Sequence, residues 1–129
     1  MDEDDTAPAA VSPRDLGVEL VAIQAEGAEG RLSLHGQPKQ PSGAVYASVF
    51  AAAAEFVALE AARRGSPNDR FSTREAEARV HEDSPPMSMT LFARLAHAGH
   101  SSQTWEVEFR APEELVCARA RLLLSVRKS

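Results

Sequence analysis

The chain has 129 residues, 43% of them apolar and 26% charged, with a formal net charge of -5. That length suits one domain with a sizeable core, and the composition is that of a folded globular chain rather than a disordered one. The acidic balance argues against a nucleic-acid grip, which depends on neutralising phosphates with Lys and Arg, and the lone Cys117 excludes an internal disulfide and suits a reducing compartment.

Residues 1–14 carry the acidic run Asp2 to Asp5 with Pro8 and Pro13, and read as a flexible lead-in. They have neither the basic start nor the apolar stretch that export requires, so the expected location is the cytoplasm. Residues 15–129 form the single expected domain. From Leu16 to Ile23, Val18, Leu20 and Ala22 alternate with Glu19, Val21 and Ile23; after the turn Glu26 to Gly30, the run Arg31 to His35 alternates again. This pattern predicts a β-hairpin. Gly36, Pro38 and Pro41 then interrupt any regular element.

The spacing predicts a long helix over Gly43–Ala62, with Ser42 as N-cap and Val45, Val49, Ala52, Phe56 and Leu59 as its buried stripe. Arg63 and Arg64 suit its last turn and Gly65 its C-cap. Glu55 interrupts the apolar run. A carboxylate on a buried helix must be paired, protonated or used, because stranding its charge costs several kcal/mol. With Glu55 near its middle and its short length, the helix is a poor membrane span.

Phe71–Glu82 reads as a strand, although Arg74 to Arg79 taken alone suits a helix. Ser84-Pro85-Pro86 ends it, and Met87–His97, Thr104–Arg110 and Leu115–Val126 follow as an antiparallel meander. The alternation of Trp105, Val107 and Phe109 with Glu106, Glu108 and Arg110 marks a sheet covered on one face. Two strands, a helix and four strands make an α+β layer architecture.

In that order of elements the chain resembles the hotdog fold, an antiparallel sheet wrapped around a long central helix, and in particular its acyl-CoA thioesterase-like branch. The likeness is carried by Leu16-Gly17-Val18-Glu19-Leu20, by Pro41-Ser42-Gly43-Ala44 before the Ala-rich helix, and by Cys117-Ala118-Arg119-Ala120 in the final strand. It implies a thioester carbonyl polarised by amides at the helix start, here those of Gly43 and Ala44. It also implies a helix carboxylate, typically from the partner subunit, acting as general base or nucleophile, here Glu55. Many members open the helix with His-Gly-Gly and place the acid nine residues after that His. Read from Ser42-Gly43-Ala44, that offset falls on Ala51, and Glu55 comes one turn later. A set of hotdog domains of poorly assigned function has a Gly followed by a Glu at about this later spacing, and the chain resembles that set more closely.

The residues leave two readings open at several positions. Glu55 is either the catalytic carboxylate or a buried ion pair with an Arg such as Arg94, Arg119 or Arg121. Ser42 is a cap rather than a nucleophile, since no Gly-x-Ser-x-Gly elbow surrounds it. Tyr46 and Ser48 stand near the helix start and either donate to a ligand carbonyl or satisfy backbone. Gln40, like Gln37, either orients water or substrate or is solvated loop. His35, His81, His97 and His100 show no metal-ligand spacing, so no metal or cofactor is expected. The Asp and His pair of an enoyl-thioester hydratase is missing. The expected substrate-binding set is Gln40, Ser42, Gly43, Ala44 and Tyr46. The expected function is hydrolysis of an acyl-CoA or related acyl thioester by a homodimer or a dimer of dimers, with no nucleic-acid or membrane partner; the alternative is a non-catalytic acyl-binding or assembly domain.

Overall fold

In the computed structural model the described residues are 15–24 and 26–129, so the acidic segment 1–14 lies outside them. Six strands and one helix follow the expected order: β1 (Val18–Gln24), β2 (Gly27–Ser33), α1 (Ala47–Gly65), β3 (Arg70–Val80), β4 (Ser88–Ala98), β5 (Ser102–Arg110) and β6 (Val116–Arg127). The strands make one antiparallel sheet in the order β1-β2-β4-β5-β6-β3. The stretch around Glu75 and Glu77 is strand, since every residue from Thr73 to Val80 except Arg74 pairs with β6.

Inward-facing Leu91, Trp105, Phe109, Leu122 and Leu124 are fully buried against Phe50, Ala53, Ala54, Val57, Ala58 and Ala61 of α1. The Phe50 and Phe109 rings meet edge to face, with centroids 5.2 Å apart. The helix touches strands at both ends of the sheet, β1 and β3. Five inter-strand spacings of a flat sheet would set those edges about 24 Å apart, twice the roughly 10–12 Å width of a helix. The sheet must therefore curl around α1.

Three expectations are corrected here. The hairpin turn is short, and Gly27 to Gly30 belong to β2. Gly30 fits there because two backbones approach closely: a Cβ on it would sit 3.0 Å from the Glu19 carbonyl oxygen. A bulge at Val21 in β1 reverses the alternation, leaving Val21 exposed and turning Ile23 rather than Ala22 onto the core. The helix begins at Ala47, four residues later than expected, and runs through Gly65 to Ser66, whose N–H donates to the Ala62 carbonyl. Its buried stripe is Val49, Phe50, Ala53, Ala54, Val57, Ala58, Ala61 and Ala62; Ala52, Phe56 and Leu59 are half-buried on its flank. The small alanines pack deepest because they let the sheet come closest.

Gly17 and Gly36 both have positive φ, 73° and 77°. A Cβ on Gly17 would overlap the Ser33 carbonyl oxygen, whereas one on Gly36 meets nothing within 4 Å. Gly36→Ala should therefore cost about 1 kcal/mol, the left-handed penalty alone, and Gly17→Ala about 2 kcal/mol or more. Urea unfolding midpoints of the two variants will check the order.

Candidate functional site

Between β2 and α1 the chain makes a small hairpin of its own. Lys39 bridges Val45, the Gln40 N–H donates to the Ala44 carbonyl, and the Gly43 N–H donates back to the Gln40 carbonyl, both at 2.8 Å. Pro41 suits the first turning position and Gly43, at φ 94°, the last. This turn, not a helix cap, explains Pro41-Ser42-Gly43. The Ser42 hydroxyl accepts the Ala44 N–H at 3.3 Å, so the two amides expected to polarise a carbonyl, Gly43 and Ala44, are both taken up within the loop.

The helix N-cap is Tyr46, extended at φ -63° and ψ 139°, with no side-chain cap bond. Val49 N–H donates to the Tyr46 carbonyl at 3.0 Å. The N–H groups of Ala47 and Ser48 have no partner among the described residues. These are the free amides at the positive end of the helix dipole, and reading the sequence with Ser42 as cap missed them. The missed signal is spacing: Glu55 lies nine residues after Tyr46, not thirteen after a cap at Ser42.

Glu55 is half-buried, flanked on the helix by Ala51, Ala52, Phe56 and Leu59, and makes no hydrogen bond or ion pair among the described residues. The ion-pair reading fails on register. Arg94, Arg119 and Arg121 alternate with buried Ala93, Ala118, Ala120 and Leu122, and so project from the sheet face opposite α1. There Arg94 pairs with Glu106, and Arg119 with Glu108 at 3.7 Å.

Gln40 stands at the exposed edge of the loop, its side-chain N–H donating to the Val45 carbonyl at 3.4 Å. Tyr46 is exposed, as is Ser48. Gln37 is tied to the Asp15 carbonyl at 3.2 Å. A recess of about 150 Å³ brings Gln40, Val45, Ala47 and Phe50 together with Val80 and Asp83; Ser42 and Gly43 line a shallower depression beside it. Cys117 lies in the core with its thiol donating to the Leu115 carbonyl at 3.6 Å, and burial pushes its pKa up, against a role as a thiolate. Among the described residues no group of three metal-ligating side chains converges, and no helix is long and apolar enough to cross a membrane.

A six-stranded antiparallel sheet curled around one long helix in this connectivity is the hotdog fold, and that is the fold of this chain. Thioesterases and thioesterase-like proteins stand among the solved structures that share it. The chain is similar to a thioesterase of Haemophilus influenzae, at 23% identity over 90% of this chain and 82% of that one, with a TM-score of 0.78. It is similar to AziG of S. sahachiroi, at 22% identity over 90% and 95% of the two chains, with a TM-score of 0.83. It is also similar to a thioesterase of Staphylococcus aureus, solved as a glutamine-to-alanine and as a glutamate-to-alanine variant; identity is 13% and 14%, coverage 89% and 97%, and the TM-score 0.78. No protein-family model and no curated protein matches the chain.

Because Ser42 caps nothing, Ser42→Ala should change stability by less than about 0.5 kcal/mol, and Tyr46→Ser, which supplies the missing cap, should raise it by up to about 1 kcal/mol. Chemical denaturation will separate this from a cap at Ser42, whose removal would cost about 1 kcal/mol.

Proposed function

We propose that the chain hydrolyses an acyl thioester, with acyl-CoA as the substrate in view, and works as a homodimer in which each site joins the start of one α1 to Glu55 of the other copy. The observation that carries this reading is two sets of groups without a partner among the described residues, the Ala47 and Ser48 amides and the Glu55 carboxylate. The amides and the helix dipole polarise the thioester carbonyl and hold the oxyanion. Acting as general base, Glu55 takes a proton from water as its oxygen bonds to the carbonyl carbon. Collapse of the oxyanion breaks the carbon–sulfur bond, and the proton held by Glu55 goes to the departing thiolate. Acting as nucleophile, Glu55 would instead attack the carbonyl carbon and expel the thiolate, forming an anhydride that water opens to the free acid and the Glu55 carboxylate, with the proton released going to the thiolate.

Distance supports a site built from two copies. Ala47 and Glu55 lie eight residues apart, about 12 Å along the axis, whereas reacting groups must meet at about 3–3.5 Å. On this reading the carboxylate that meets a carbonyl held at Ala47 comes from the other copy. Among the described residues β3 is a free sheet edge, and antiparallel pairing with β3 of a second copy would continue the sheet.

The comparisons lend support through spacing. The glutamine and the glutamate replaced in the Staphylococcus aureus thioesterase stand fifteen positions apart, as Gln40 and Glu55 do here. On this reading Gln40 orients water or the thioester. The nine-residue offset from Tyr46 to Glu55 is also the one at which many members of the thioesterase-like branch place an acid after the His of their His-Gly-Gly. Here Tyr46-Ala47-Ser48 replaces that opening, which favours the second reading, an acyl-binding or assembly domain without turnover.

Thiol release from a panel of acyl-CoA substrates tests the choice. Glu55→Gln should lower kcat at least about 100-fold with little change in stability, since the carboxylate has no partner to lose. Ala47→Pro removes one amide at the first helical position, where Pro is tolerated and the extended Tyr46 already suits it; it should lower kcat by about 100-fold or more in a folded protein. No release by the native chain would favour the non-catalytic reading, and full activity in Glu55→Gln would remove Glu55 from the reaction. A monomer by light scattering at micromolar concentration would sink the two-copy site.

A further inference from the structure

The recess beside the start of α1 has an apolar, buried floor and a polar, acidic rim. Val45 and Phe50 are buried, Val80 is half-buried on the inner face of β3 opposite Ala118, the half-buried Glu82 forms one side, and Gln40 and Asp83 are exposed at the edge. Phe50 is held by its edge-to-face contact with Phe109. That floor belongs to the close-packed core and has no slack to recede into. Ala47, whose N–H has no partner among the described residues, forms part of the same wall.

The volume, about 150 Å³, is that of an apolar cavity known to take up benzene. We propose, resting on the thioester reading above, that this recess receives the acyl group and limits it to about one six-membered ring or a chain of about six carbons. With its carbonyl at the Ala47 N–H, the acyl group points into the recess and ends against Phe50 and Val80. A longer chain has to displace packed side chains, and each misfitting methylene costs about tenfold or more in kcat/KM.

Two measurements on the full chain test this. The first is kcat/KM for acetyl-, butanoyl-, hexanoyl-, benzoyl-, octanoyl- and hexadecanoyl-CoA. It should fall at least about 100-fold between hexanoyl and octanoyl. Val80→Phe, which fills the recess, should depress benzoyl relative to acetyl by about tenfold or more, and Val80→Ala should raise octanoyl relative to hexanoyl; circular dichroism and light scattering check that both remain folded. The second is calorimetric binding of the S-benzyl, S-hexyl and S-hexadecyl thioethers of coenzyme A, which need no turnover. The first two should bind and the third should bind at least about tenfold more weakly. Turnover or binding that stays level or rises toward the hexadecyl group overturns the size limit. Graded binding with no thiol release from any substrate sustains the limit while removing hydrolysis. Neither binding nor release overturns both.

Discussion

Close contact between an alanine-faced helix and a curled sheet sets every other feature of this molecule. Ala53, Ala54, Ala58 and Ala61 are fully buried, and with side chains this short the backbone of α1 approaches the sheet more closely than leucines would allow. That closeness lets one helix reach strands at both sheet edges. It also fixes the helix rotation. With the 50/53/54/57/58/61 stripe turned to the sheet, Glu55, Phe56 and Leu59 are left on the flank. The position of Glu55 thus follows from packing at other residues.

Much of the architecture was legible in the sequence because strand alternation is a strong signal where one face is covered. Trp105, Val107 and Phe109 in β5 read correctly residue by residue, and so did the meander that contains them. The failures came where two local rules compete. Ser42 with Gly43 satisfies the pattern of a helix cap, but Pro41 and Gly43 together satisfy a hairpin turn, and the turn wins because its backbone bonds to Gln40 and Ala44 are all met. An alanine-rich helix adds a second ambiguity. When most residues are alanine, hydrophobic spacing hardly distinguishes one face from another, and the larger Val45, Phe56 and Leu59 pull the reading toward the wrong stripe. Of the candidate site, Glu55 and Gln40 were legible as residue types, while the free amides of Ala47 and Ser48 depend on where the helix starts.

The outer sheet face holds larger depressions than the recess, yet its chemistry is that of a solvated surface. Across β4, β5, β6 and β3 the registered row Arg94, Glu106, Arg121, Glu77 alternates in sign, and Arg110 lies over the Phe92 ring while pairing with Glu108 at 2.7 Å. Such exposed pairs are worth little individually, but they match charge across strands and leave the depressions lined by both signs at once. Of the two like-charged neighbour pairs in this register, Arg70 opposite Arg127 and Arg79 opposite Arg119, the second is eased by Glu108 beside Arg119. A ligand bound there would have to displace interactions already made, whereas the amides at the start of α1 make none among the described residues.

The free edge and the uncovered helix flank belong to one constraint. β3 and β1 are the two edges of the sheet; β1 spans 7 residues and is bent by its bulge, whereas β3 spans 11 and pairs in unbroken register from Glu75 to Val80. β3 also packs on α1 more extensively than any other strand does. A second copy that extends the sheet at β3 would therefore bring its own helix beside the first. In the proposed dimer, the same pairing that covers an exposed row of backbone donors and acceptors brings Glu55 from one helix toward the amides of the other. Edge protection and assembly of the site would then depend on the same strand, so a change that weakened β3 pairing would separate carboxylate from amide without altering either group.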